Sequence, residues 1–229
     1  MAKAFEERNA ITRWEITAKN PNLVAPNNKV VICGEIEQDF EYNHRIPRTR
    51  ETVYRTRVIT ERNDGTKDYI PILVSKTLLE MTEVQGKWIE LVGKIQTYRG
   101  IAGDGHRYNN LCIFVSDMNI ADSKEDLKNE LNENIVFIDG YVVKDAFSTT
   151  EKKASLDIAV NRKSGKEADY IPCFVLGDNV KRALKLKVGD HIRSYGRFQS
   201  RPYPKKIGKI TETRTAYDVF LTSKVKVLD

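Results

Sequence analysis

Apolar and polar residues alternate without a break through Ser155-Leu-Asp-Ile-Ala-Val-Asn161, which puts Leu156, Ile158 and Val160 on one face of a half-buried strand. The β-rich run Ile135-Val-Phe-Ile-Asp-Gly-Tyr-Val142 precedes it, interrupted by a glycine that suits a bend or bulge. Ser164-Gly165 then turns the chain into Tyr170-Ile-Pro-Cys-Phe-Val175. Pro172 has no N–H to donate, so this third strand needs an edge or a bulge there. The spacing of Val180, Ala183 and Leu184 predicts a helix capped by Asp178 and closed beyond by Gly189. Two more strands follow, Ile192–Arg201 and Thr215–Leu221.

The first half repeats this series. Asp68-Tyr-Ile-Pro71 recurs as Asp169-Tyr-Ile-Pro172, and Asn63-Asp-Gly65 answers Lys163-Ser-Gly165. Gly86, Ile89, Gly93, Lys94 and Gln96 match Gly189, Ile192, Gly196, Arg197 and Gln199; Gly34 matches Gly140. Marks held in one order across so long an offset indicate a duplicated domain, because solenoid units repeat every ~20–50 residues. The first-half helix is expected over Ser75 to Met81 and its last strand over Asn110 to Val115. Five short strands with a helix between the third and fourth is the layout of an OB-fold barrel. The expected class is therefore all-β with one short helix per repeat, as two tandem OB-fold barrels. Residues 1–28 form an N-terminal extension that includes Trp14, read as a packing anchor. Repeat 1 spans 29–116, an acidic linker with about two helical turns spans 117–133, and repeat 2 spans 134–229.

Composition narrows the function. No apolar run reaches the roughly 20 residues of a membrane span, and the first residues lack the apolar stretch of a signal peptide. A cytoplasmic, nucleoid-associated protein without a membrane partner is expected. Cys33, Cys112 and Cys173 stand singly in apolar segments and read as buried thiols; His44, His106 and His191 are too scattered for a zinc site. No metal or cofactor is expected. Walker, GxSxG and HExxH motifs are absent, so the chain reads as non-enzymatic. Charge is uneven: residues 1–133 carry 19 Lys and Arg against 21 Asp and Glu, whereas residues 134–229 carry 19 against 11. The second half is thus the polyanion binder on charge alone.

The fourth strand sharpens this. His191, Arg193, Tyr195, Arg197, Gln199 and Arg201 occupy alternate positions, with Tyr203 beyond, and a period of two gathers them on one face. Cations meet phosphates and rings stack on bases, the mixture that sequence-tolerant single-strand binding requires. The equivalent first-half positions run from Trp88 through Lys94 to Tyr98, followed by Arg99; its second strand adds Arg55 and Arg57. Tyr69 and Tyr170 head the third strands, either as stacking rings or as barrel-end core residues with wet hydroxyls.

On Asp169–Gly177 and Lys187-Val-Gly-Asp-His-Ile-Arg-Ser-Tyr-Gly-Arg-Phe-Gln-Ser-Arg-Pro-Tyr203, the second half resembles the bacterial single-stranded DNA-binding (SSB) family; Tyr69 and Gly86 to Tyr98 carry a weaker match. The resemblance implies single-stranded DNA binding in replication, recombination or repair, with Tyr170 where the family has a stacking tryptophan and Arg201 and Tyr203 at the end of its pattern. It also implies a homodimer, since family members assemble four OB folds. Leu176 and Ser75 replace a family aromatic, charged residues around Arg162 and Lys163 replace another and are themselves candidate DNA contacts, and Lys224–Asp229 lacks the family's acidic tail for recruiting partners. Two other readings stay open: an interaction module of a replication or primosome assembly, and an RNA-binding tandem OB protein, with RNA in place of DNA.

Overall fold

The computed structural model describes residues 27–101, 107–127, 134–162, 167–208 and 210–228. The first barrel contains β1 (Asn28–Ile36), β2 (Glu41–Arg45), β3 (Thr52–Glu61), β4 (Lys67–Ser75), β5 (Trp88–Ile101) and β6 (Arg107–Ala121). The second contains β7 (Asn134–Val142), β8 (Phe147–Thr150), β9 (Lys153–Asn161), β10 (Ala168–Leu176), α1 (Asn179–Ala183), β11 (His191–Ile207), β12 (Ile210–Leu221) and β13 (Lys226–Leu228). Trp14 and most of the N-terminal extension lie outside the described residues.

Pairing closes each half on itself. In the first, β1 pairs β3 and β5, β3 pairs β4, β4 runs parallel to β6, and β6 pairs β5. In the second, β7, β9, β10, β12 and β11 close by the same rule. These are two OB-fold barrels, and closure leaves no bare edge between their five strands. The expected inward set is in place: Leu156, Ile158 and Val160 are buried, as are Ile32, Val58, Ile70, Ile72 and Ile95 in the first barrel.

Local expectations meet several corrections. The first-half helix is only a 3-10 turn, Lys76–Leu78, with the N–H of Thr77 served by the hydroxyl of Ser75. Helix α1 buries Val180 and Ala183, yet Leu184 is exposed and Leu186 is buried instead. Asp178 stands before α1 but makes no side-chain cap bond. Strand β6 continues through Ala121, so residues 117–121 of the acidic segment are strand rather than helical turn. Pro172 and Pro71 sit one residue before their strands gain a second neighbour at Cys173 and Ile72, which is an edge without a bulge.

Gly140 serves close approach rather than bending. A Cβ there would lie 2.5 Å from the carbonyl oxygen of Ala159, and one at Gly34 would lie 2.3 Å from that of Ile59. Here the first strand of each barrel crosses from one partner to another. Gly196 and Gly93 play the same part against the carbonyls of Phe220 and Phe114.

The barrels join through β1 and β7, antiparallel, with Val30 opposite Val136, Asn28 opposite Ile138 and Ile32 opposite Asn134. Val30 and Val136 are equivalent positions of the two repeats, so a local two-fold axis passes through this pair. Asn28 donates to the carbonyl of Ile95 and accepts from its N–H at 2.7 and 3.0 Å; Asn134 does the same with Phe198 at 2.8 and 2.9 Å. Replacing Gly34 or Gly140 by Ala should cost about 1–3 kcal/mol by overpacking. Urea unfolding monitored by circular dichroism measures it, and the same change at exposed Gly86 should show only a backbone effect of ~1 kcal/mol.

Candidate functional site

The repeated Asp-Tyr-Ile-Pro segment begins with a carboxylate that points into the junction between barrels. Asp68 receives Arg62 through Nε at 2.8 Å and Nη2 at 2.6 Å, and accepts the N–H of Ser200, on β11, at 2.8 Å. Ser200 Oγ in turn accepts the N–H of Tyr69 at 2.9 Å. The mirror arrangement has Arg162 on Asp169 at 3.0 and 2.7 Å, with Asp169 accepting from the N–H of Thr97, on β5, at 2.7 Å. Arg162 also donates to the carbonyl of Thr97 at 2.8 Å. Asp68 and Asp169 are buried, and both guanidinium groups are held above their ordinary pKa, first by these hydrogen bonds. Arg162, expected to touch ligand, is therefore committed to joining the barrels. Lys163 and the side chain of Arg99 lie outside the described residues.

This junction lays β11 of one barrel beside β4 of the other and puts outward-facing residues of both into one surface. On the first barrel, Arg55 lies opposite Leu73, Arg57 opposite Pro71, and Ile59 opposite Tyr69. Arg57 is the organiser. It pairs with Glu37, lines one cleft with Tyr217 and places its guanidinium 5.8 Å from the ring centre of Tyr69. Burial pushes the Tyr217 phenol up, an effect the positive charge of Arg57 opposes. Arg55 is more open, with only an exposed pair to Glu41 at 3.2 Å. An open cleft of about 300 Å³ runs between these groups, lined by Gln38, Asn43, Arg55, Arg57, Tyr98 and Tyr217 among others.

The β11 face has the expected period, but its cations have acidic or polar neighbours. Arg193 donates through Nε and Nη2 to one oxygen of Asp139 at 2.8 and 2.6 Å, the other oxygen meeting His191, and lies over the ring of Phe137. Tyr195 tilts against Phe137 at 5.1 Å between centroids. Arg197 is half-buried, its pKa lowered by desolvation and then by nearby Arg62. Arg201 is exposed and pairs with Asp218 at 3.1 Å. Desolvation raises the pKa of Asp218, opposed by Arg201. Of the strand heads, Tyr170 is 51% exposed and Tyr69 36%, so both rings can be reached. Trp88 lies at the far end of β5, half-buried beneath Lys124, away from the cleft residues; Lys94 is half-buried.

Three features escaped the sequence reading. Phe147, Ser155, Phe174, Phe220 and Arg197 form one row across the second barrel, with Phe174 and Phe220 stacked at 5.0 Å and Lys153 over Phe174 at 4.2 Å. These rings do not share the repeated motifs that drew attention to Tyr170. The hairpin of β11 and β12 projects Lys205 and Lys206 beyond Tyr203, which pairs with Arg214. Tyr217 enters the cleft from the opposite barrel, a placement no local pattern encodes.

Among solved structures, the chain is similar to the wild-type single-stranded DNA binding protein from Thermus aquaticus, with TM-score 0.65 and 14% identity over 88% of this chain and 93% of that one. A deletion mutant of the same protein aligns with TM-score 0.63 and 14% identity over 88% and 94% of the two chains. At this identity the likeness is one of fold. No protein-family profile and no curated sequence matches the chain.

Arg62→Ala strands a buried carboxylate at the junction and should cost about 3–5 kcal/mol, the range for breaking a buried pair. Denaturant titration measures it. Arg55→Ala, in an exposed pair, should change stability by less than ~1 kcal/mol.

Proposed function

We propose that this chain is a non-enzymatic protein that binds single-stranded DNA with little sequence preference, serving replication, recombination or repair. One observation carries the reading: Arg55, Arg57, Tyr69 and Tyr98 stand together on the outward face of the first barrel, and Tyr217 of the second barrel joins them. The second and third strands of an OB fold, here β3 and β4, form the face on which such barrels take oligonucleotides. Guanidinium groups there neutralise phosphates, and every base offers a π-face to a tyrosine ring. The fold shared with a Thermus single-stranded DNA binding protein supports the same reading.

Binding runs from the cleft onto the second barrel. Tyr170, Arg201, Tyr203 and the basic hairpin supply its surface, with Tyr195, Arg193 and Arg197 behind acid partners or neighbouring packing. The two barrels descend from one OB unit by tandem duplication, and two chains assemble to give four OB folds. A single-chain mass at every concentration in light scattering removes the dimer.

Oligo-dT, an equal-length duplex and oligo-U are the ligands for the decisive titration, at low and moderate salt. Oligo-dT should bind best and weaken as salt rises, because phosphate contacts release counterions. Tyr69→Ala and Tyr170→Ala should each weaken it by about 1–3 kcal/mol, the contribution of one stacked base, with circular dichroism unchanged. Equal binding of the duplex would overturn the single-strand reading, and preference for oligo-U would move it to RNA.

A further inference from the structure

The two-fold axis through Val30 and Val136 makes every residue of one barrel comparable with a partner in the other, and the cleft is where the comparison fails. Register fixes the equivalences. Arg57 opposite Pro71 corresponds to Asp157 opposite Pro172, and Arg55 opposite Leu73 corresponds to Ser155 opposite Phe174. Gln96 opposite Cys112 corresponds to Gln199 opposite Asp218, which sets Tyr98 against Arg201 and Leu111 against Tyr217. The cleft thus brings together two guanidinium groups and the Tyr98 phenol of the first barrel with the Tyr217 phenol of the second. The same place in the second carries Asp157, tied to Lys144 at 2.7 Å, and a buried Asp218 tied to Arg201.

We propose that the cleft of the first barrel is a subsite for one 5′-phosphorylated nucleotide, present once per chain and completed by Tyr217 of the second barrel. This rests on the single-strand reading above and deepens it. Arg55 takes the phosphate, since its pair with Glu41 is exposed on both sides and exchanges partners at little cost. Tyr98, 46% exposed at the mouth, offers its ring to the base. Gln38 and Asn43 bring amides to the base edge. Arg57 is a positioning residue: it shares the cleft lining with Tyr217 and is itself held by Glu37. A volume near 300 Å³ lies at the lower end of small-molecule sites and matches one nucleotide better than a longer segment. At the equivalent place in the second barrel a phosphate would meet Asp157 where Arg57 stands in the first.

The test uses the full chain and two probes, a 5′-phosphorylated dT trinucleotide and an oligo-dT of roughly 30 nucleotides, long enough for two OB folds at ~4–16 nucleotides each. Calorimetry should give one trinucleotide per chain. Arg55→Ala and Tyr98→Ala should each weaken it about tenfold or more, the scale of one lost stacking or charge contact. Tyr217→Phe, which keeps the packed ring and removes only the hydroxyl, should also weaken it, while Asp157→Asn should leave it unchanged. Two equal trinucleotide sites per chain, no trinucleotide binding, or one site indifferent to Tyr98→Ala and Arg55→Ala each overturns the subsite. If the long oligonucleotide still binds in those cases, the single-strand reading survives; if it fails as well, both fall.

Discussion

Two buried carboxylates hold this molecule in its working shape. Asp68 and Asp169 each lie in the junction with one arginine from their own hairpin and one backbone N–H from the other barrel. A carboxylate out of water is tolerated only when paired and hydrogen-bonded, and the arginine fork supplies both at once. The geometry is therefore specific: the carboxylate is satisfied only when β4 meets β11 and β10 meets β5. The β1–β7 ladder would allow the barrels to swing, but these two clamps on either side of the axis remove that freedom. An apolar substitute could be as stable, yet it would not fix the angle.

The proposed ligand surface inherits that angle. Tyr69 sits one residue after Asp68, its N–H bonded to Ser200 of the opposite barrel, so the ring's position is set by the clamp and not by the strand alone. Tyr217 reaches the cleft for the same reason. The surface is thus a property of the pair of barrels, and a first barrel alone would lack one of its phenols. The tyrosine and the aspartate of one tetrapeptide divide the work, one facing solvent and one facing the partner barrel.

Much of this was legible. Period-two alternation located β9 and β11, and the shared marks revealed both barrels because inward positions and crossing glycines obey local rules. Alternation also placed Arg193, Arg197 and Arg201 on one face. What it could not reveal was the company they keep. Arg162 looked like a ligand cation from its neighbours in sequence, yet its partner Thr97 is 65 positions away. Arg62, its counterpart, drew no notice although the repeated marks Asn63-Asp-Gly65 and Asp68-Tyr-Ile-Pro71 follow it directly, because a lone arginine ahead of a turn reads as a solvated charge. The β2 and β8 strands were missed because they are short hairpin additions with no apolar rhythm. The first helix shrank to a turn because Ser75 ties its hydroxyl to Thr77 and Glu51 and closes the backbone early.

Net charge pointed to the second half, and the pairing of charges qualifies that inference. Arg193 has Asp139, Arg201 has Asp218, Arg57 has Glu37 and Arg55 has Glu41. A phosphate approaching such a cation competes with a carboxylate already in place, so the energy gained is a difference between two ion pairs. What decides the exchange is how well solvated the displaced carboxylate becomes. Glu41 is already exposed and loses nothing, whereas Asp139 is largely shielded and would keep only His191, and buried Asp218 would lose its ion pair with Arg201. The cation with the least buried partner is then the better phosphate ligand, which favours Arg55 over Arg193 although Arg193 stands on the more basic half. On the proposed reading, excess positive charge on the second barrel, carried by Lys205, Lys206 and Lys152 at exposed or half-exposed positions, draws a strand in from a distance, and the less charged first barrel fixes it.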